Sequence, residues 1–201
     1  MSEVLEAEAP AVRPAFANFV GGEWRPSASG RTYEKRSPWR PSEPIGEFPA
    51  SDEEDVSTAV EAAAAAFRDW SRRPAVQRAA VLTAAADAIE RRAEQMAQDM
   101  TLEMGKPVRE SRLEAARGAA ILRFFAGEAW RPKGELFEQS GTGSSVYTVR
   151  RPLGVVGLIT PWNFPAAIPL WKSAPALVYG NTVVLKLAQD EIGRASCRER
   201  V

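Results

Sequence analysis

The period of apolar and polar positions changes several times along the chain, and each change marks an element. Residues 1–15 are rich in Ala, Glu and Pro without an apolar period, and are expected to form a disordered leader. Phe19-Val20-Gly21-Gly22-Glu23-Trp24 reads as a strand, a tight turn and a returning strand, the glycine pair being a hairpin signal. Thr32-Tyr33-Glu34-Lys35-Arg36 and Ile45-Gly46-Glu47-Phe48 are further short strands, separated by Pro38-Trp39-Arg40-Pro41. From Ser51 the period becomes helical. Ser51-Asp52-Glu53-Glu54 places a hydroxyl cap and acids at a helix start, and Val56, Val60, Ala63, Phe67 and Trp70 then form an apolar stripe for the core. A second helix is predicted from about Pro74, with Leu82, Ala85, Ile89, Met96 and Met100 inward and a break at Gly105-Lys106-Pro107. A third covers about 108–129, with Leu113, Ala116, Ala120 and Phe124 on one face. Charges such as Glu90-Arg91-Arg92 and Arg109-Glu110 are assigned to solvated faces.

After the flexible break Gly141-Thr142-Gly143-Ser144-Ser145, the run Val146 to Arg151 alternates as a strand does. The unbroken apolar run Val155-Val156-Gly157-Leu158-Ile159 is read as a buried strand between Pro152 and Pro161. A largely apolar segment, 166–179, ends at Gly180-Asn181, a helix-stop pair, and Thr182-Val183-Val184-Leu185 leads into Lys186. Strand, loop, helix and strand in this order make a βαβ unit, and ligands of such sheets bind at the carboxyl ends of the strands. The loop Thr160-Pro161-Trp162-Asn163-Phe164-Pro165 and Lys186 therefore belong to one edge. The familiar dinucleotide fingerprint is absent: Gly154-Val155-Val156-Gly157 opens the strand instead of following it, so it cannot cradle a pyrophosphate in the usual way.

Composition removes several chemistries. The chain has no histidine, which excludes Ser/His and Cys/His catalysis and the commonest zinc ligand, and no metal site is expected. One cysteine allows no intrachain disulfide, in keeping with a reducing compartment. Lys and Arg together number 26, as do Asp and Glu, so neither nucleic acid nor an anionic membrane is indicated as a partner. The first residues form no signal peptide and no run spans a bilayer, so the expected location is cytoplasmic.

Thr160-Pro161-Trp162-Asn163-Phe164-Pro165, Lys172, Pro175-Ala176-Leu177, Gly180-Asn181 and Lys186, in this order, resemble the first cofactor-binding unit of the aldehyde dehydrogenase superfamily. The likeness runs from about Phe19 to Lys186. It implies an α/β fold: the amino-terminal part of the family's architecture, with helices and the first βαβ unit of an incomplete Rossmann-like cofactor domain. Residues 16–136 and 152–190 would be a partial NAD(P)-binding domain, and 137–151 a strand of an arm used for subunit association in a homodimer or homotetramer. The resemblance further implies NAD or NADP as cofactor, held by Ile159, Thr160, Pro161, Trp162, Lys186 and Gln189, with Lys186 on the adenosine ribose. Gln189 replaces an acid that often contacts that ribose, and Leu187 departs from the family pattern, so the cofactor choice stays open.

The resemblance gives Asn163 the catalytic role. Its amide offers two donors, which beside a thiolate nucleophile would stabilise the oxyanion formed from a small-molecule aldehyde. The implied reaction continues with hydride transfer to NAD(P)+ and hydrolysis of the thioester by water that a glutamate activates. Neither the family's cysteine nor its glutamate has a matching position here, so the chain alone is expected to be inactive. Residues 151–172 are similar to semialdehyde enzymes of the 2,5-dioxovalerate (α-ketoglutaric semialdehyde) type. Two alternatives remain open: a non-catalytic fragment that binds nucleotide or associates with subunits, and an acylating, CoA-linked enzyme. Residues 191–201 match nothing in the family and read as translated sequencing-adapter DNA, so Cys197 within them is not taken as the nucleophile.

Overall fold

The computed structural model describes residues 16–138, 141 and 143–188. Strands β1 (Asn18–Val20) and β2 (Glu23–Arg25) form the hairpin that the glycine pair predicts. Gly21 and Gly22 turn it at φ of 62° and 88°, a backbone that side chains with a Cβ rarely adopt. Strands β3 (Thr32–Arg36) and β4 (Pro44–Pro49) pair antiparallel, and the fully buried Phe48 stacks on Phe16 at 4.3 Å between ring centroids.

Helix α1 (Glu53–Arg72) begins one residue later than the hydroxyl cap implied. Asp52 caps it, accepting from the Glu54 amide at 3.2 Å, while the Asp55 carboxylate accepts from the Asp52 amide at 3.0 Å. The Ser51 hydroxyl is instead engaged by the Asn18 side-chain amide at 2.8 Å. An Asp52→Ala chain is expected to lose about 1 kcal/mol of unfolding free energy in urea titrations. The apolar stripe of α1 is also shallower than its pattern suggests: Val56 and Val60 are exposed, and Ala59, Ala62, Ala63, Phe67 and Trp70 are half-buried. Those residues lie on the side that meets the final two strands, with the Trp70 indole donating to the Leu177 carbonyl at 3.1 Å.

The second predicted helix is two, α2 (Ala75–Arg91) and α3 (Ala93–Met104), separated at Arg92. Neither Gly nor Pro is present to explain the break. Its stripe is nevertheless buried throughout, Leu82, Ala85 and Ile89 on α2 and Met96 and Met100 on α3. Both helices pack on α4 (Val108–Ala126), which runs into a 3-10 turn, Gly127–Trp130.

On α4 the predicted face is the wrong one. Leu113 is 65% and Phe124 57% exposed, and Ala116 and Ala120 also face out. The buried face is Ser111, Glu114, Ala115, Gly118, Ala119, Leu122 and Ala126. Small residues win that face because helices meet closely there: a Cβ on Gly118 would lie 2.9 Å from the Leu170 side chain of the next helix.

A hairpin of β5 (Leu136–Glu138) and β6 (Ser145–Tyr147) is exposed along its whole length. The sequence signalled only its second strand. Its pairing continues beyond the ladder, through Thr148 to the Glu135 carbonyl and Arg150 to the Lys133 carbonyl, at 2.9 and 3.0 Å.

The last unit is β7 (Val155–Ile159), α5 (Ala167–Val178) and β8 (Thr182–Lys186), with β7 and β8 parallel, as the strand–helix–strand order requires. The β7 strand is not buried as expected. Gly157 and Ile159 are exposed and the other three residues half-buried, because the sheet has two strands and α1 and α5 as its main cover. Asn181 locks the unit. Its side chain donates to the Ala176 carbonyl at 3.0 Å and accepts from the Leu153 and Gly154 amides at 2.6 and 3.1 Å. No helix among the described residues is long and apolar enough to cross a membrane.

Candidate functional site

The parallel register sets Val155 opposite Thr182 and, at the far end, Ile159 opposite Lys186. The Thr160 amide then donates to the Lys186 carbonyl at 3.3 Å, the last rung before the chain leaves the sheet. Ile159, Thr160, Pro161, Trp162 and Lys186 thus converge on the carboxyl edge, as the βαβ argument required. Gln189, the remaining candidate, lies outside the described residues, as do residues 191–201 with Cys197.

The side chains at this edge are open to solvent. Ile159 is 76% exposed, and Pro161, Trp162, Asn163 and Phe164 also face out. A shallow groove of about 530 Å³ is lined by Ile159, Pro161, Ile168, Trp171 and Lys172. Trp171 and Lys172 belong to the first turns of α5, where position in a helix gives no hint that they share a groove with a strand end. Lys186 lies exposed at the end of β8, its ammonium donating to the Leu187 carbonyl at 3.1 Å. Thr160 is the exception: only 3% exposed, with a hydroxyl that has no hydrogen-bond partner among the described residues. A buried hydroxyl without a partner carries a desolvation cost.

The start of α5 explains the missing glycine fingerprint. The first amides of a helix ordinarily form an anion site, and in dinucleotide folds a pyrophosphate sits there. In this chain the position is already filled by Glu114 of α4. One of its carboxylate oxygens accepts from the amides of Ala166 and Ala167, at 2.9 and 3.0 Å. The other oxygen pairs with the Lys106 ammonium, and the Glu114 side chain is 1% exposed. Lys106 in turn lies 5.3 Å from the centre of the Phe164 ring, in cation–π contact. The amides of Ala166 and Ala167 are therefore already satisfied and do not offer an open phosphate site. Sequence reasoning missed Lys106 and Glu114, since single charges in Gly-Lys-Pro and in a helix look like solvated ones.

Comparison with known proteins agrees with this architecture. The profile of the aldehyde dehydrogenase family matches residues 24–195. The alpha-ketoglutaric semialdehyde dehydrogenase of Bacillus subtilis is 45% identical over 175 residues, covering 87% of this chain and 36% of that enzyme. Among solved structures, PnpE in complex with nicotinamide adenine dinucleotide superposes with a TM-score of 0.82 at 38% identity, over 86% of this chain and 35% of PnpE. A 3,6-anhydro-L-galactose dehydrogenase in complex with NAP superposes with a TM-score of 0.85 at 29% identity, over 92% of this chain and 38% of that one. The chain thus spans little more than a third of the length of these relatives.

Proposed function

The chain belongs to the aldehyde dehydrogenase family, and from that premise we propose that it supplies the cofactor edge and the oxyanion donor of an NAD(P)+-dependent aldehyde dehydrogenase. The observation that carries this reading is the register of β7 against β8, which brings Ile159, the Thr160–Pro165 loop and Lys186 to one carboxyl edge. Along that edge Ile159, Pro161 and Trp162 offer apolar surface for the flat rings of the dinucleotide. The Lys186 ammonium donates to ribose hydroxyls, and Gln189 follows three residues on. The Thr160 hydroxyl, without a partner among the described residues, lies at the same edge. The bound NAD(P)+ supplies the hydride acceptor.

Asn163 serves the chemistry. A cysteine thiolate, provided by sequence outside the matched third, forms a bond to the aldehyde carbon, and the carbonyl electron pair moves onto oxygen. The Asn163 amide donates to that oxyanion. Once the hydride has left carbon, the thioester is hydrolysed: a carboxylate takes a proton from water, the water oxygen bonds to the acyl carbon, the C–S bond breaks, and acid and thiolate are released. The semialdehyde named for the Bacillus subtilis relative makes a small aldehyde bearing a second polar end the favoured substrate class. The 201-residue chain by itself has no residue matching the nucleophile or the base, and no dehydrogenase activity is assigned to it. The exposed β5–β6 hairpin is read as an association arm in a cytoplasmic homo-oligomer.

The cofactor part is testable on the chain itself. NAD+ or NADP+ at about 100 times its dissociation constant should raise the melting temperature by roughly 5 °C or more. A melting curve that moves with neither dinucleotide would remove the cofactor edge from this account.

A further inference from the structure

The Asn163 loop is anchored from outside its own βαβ unit. Glu114 sits in the middle of α4, far from the loop in sequence, yet its carboxylate satisfies the Ala166 and Ala167 amides. No side chain of the loop itself caps α5. Gly118, one turn further along α4, is what lets α5 approach closely enough, since its missing Cβ is the space that Leu170 nears. Lys106 completes the arrangement from the α3–α4 connection, paired with the second Glu114 oxygen and placed over the Phe164 ring. Phe164 immediately follows Asn163, and Ala166 follows by three, so both residues that leave the donor toward α5 are held by this one ion pair.

We propose that Lys106 and Glu114 are positioning residues for Asn163, forming a built-in anion cap that fixes the loop before any ligand arrives. The carboxylate complements the partial positive charge of the α5 start and satisfies donors that would otherwise be orphaned. The ammonium neutralises that buried charge and holds the aromatic neighbour of Asn163 from the other side. Fixing a donor in advance is what makes oxyanion stabilisation effective, because no reorganisation is then left for the moment of reaction. The catalytic meaning of this cap rests on the reading given under Proposed function; the anchoring of the loop does not.

Amide hydrogen exchange of the 201-residue chain separates the two. In Glu114→Gln and Lys106→Met, the amides of Phe164, Ala166, Ala167 and Ile168 should exchange at least roughly tenfold faster, the loss expected for one charge-assisted hydrogen bond. The core of α2, around Leu82 to Ile89, should keep its protection. Lys106→Arg, which restores the cation, should return the loop toward wild-type exchange. The double variant Lys106→Met/Glu114→Gln removes both buried charges, and so guards against misfolding caused by one left unpaired. It should show the same local loosening. Unchanged exchange at 164–168 in a folded variant would overturn the proposal. So would loss of protection throughout the bundle in every variant, since the pair would then hold the whole fold and not the loop. Titration of the wild-type chain with NAD+ runs alongside: failure to bind counts against the cofactor reading only, and the exchange data still decide the anchoring.

Discussion

Replacing Arg78 by alanine is expected to lower the unfolding free energy by about 3 kcal/mol, a loss in the upper range for single substitutions. Arg78 is buried on α2, and its guanidinium is aimed at main-chain carbonyls. It donates to Val178 at 3.0 Å, to Ser71 at 3.5 Å and closely to Arg73. These carbonyls lie at the end of α1, in the link to α2 and in the last turn of α5, so one side chain of α2 ties the carboxyl ends of two other helices together. Helix ends leave carbonyls unsatisfied and carry partial negative charge, which a cation offsets. Burial pushes the guanidinium pKa downward, but an arginine side chain does not lose its proton in proteins, so the contacts are charge-assisted. Truncation would leave buried carbonyls without donors and a void beside Gly180, whose absent Cβ would lie 3.5 Å from the guanidinium carbon. Lysine has a single charged head and cannot serve three diverging carbonyls, so Arg78→Lys should recover no more than about half. Denaturant titrations with unchanged m-values are the measurement; an Arg78→Ala loss below about 1 kcal/mol would mean that water replaces the guanidinium without strain.

The same residue shows what the sequence did not disclose. Period and punctuation were enough to find the four amino-terminal strands, the Gly21-Gly22 turn and the β7–α5–β8 unit, because local chemistry decides those features. The edge carrying Ile159, the loop and Lys186 followed from topology alone, since parallel neighbours must present the same ends. Burial within helices was less legible. On α4, Leu113 and Phe124 outweigh Ala115, Gly118 and Ala119 by hydrophobicity, yet close helix contact selects the small residues for the inside. Arg78, Lys106 and Glu114 escaped for a related reason. A charge on a helix is usually solvated, and only the partner helix reveals that its ends or its cation await that charge.

That partner helix also bears on the chemistry. With Glu114 already accepting from the first amides of α5, those amides are not free to meet a developing negative charge, and the proposed function gives that task to the Asn163 amide. In an enzyme that carries this chain as its amino-terminal part, Asn163→Ala is therefore expected to lower kcat about 10²–10³-fold, the range seen when one oxyanion donor is removed. Asn163 is exposed, so the truncation leaves no core cavity, and the fold should melt where the wild type does. Asn163→Asp should fare worse than alanine, because it replaces a donor by an anion beside the oxygen that becomes negative. If the amide acts only in the transition state, kcat and kcat/KM should fall by the same factor, and the dissociation constant for NAD+ should stay within about twofold of wild type. A rise in KM at constant kcat would instead make Asn163 a substrate-binding group. Retention of a tenth or more of the wild-type kcat in the alanine variant would take the oxyanion away from Asn163 altogether.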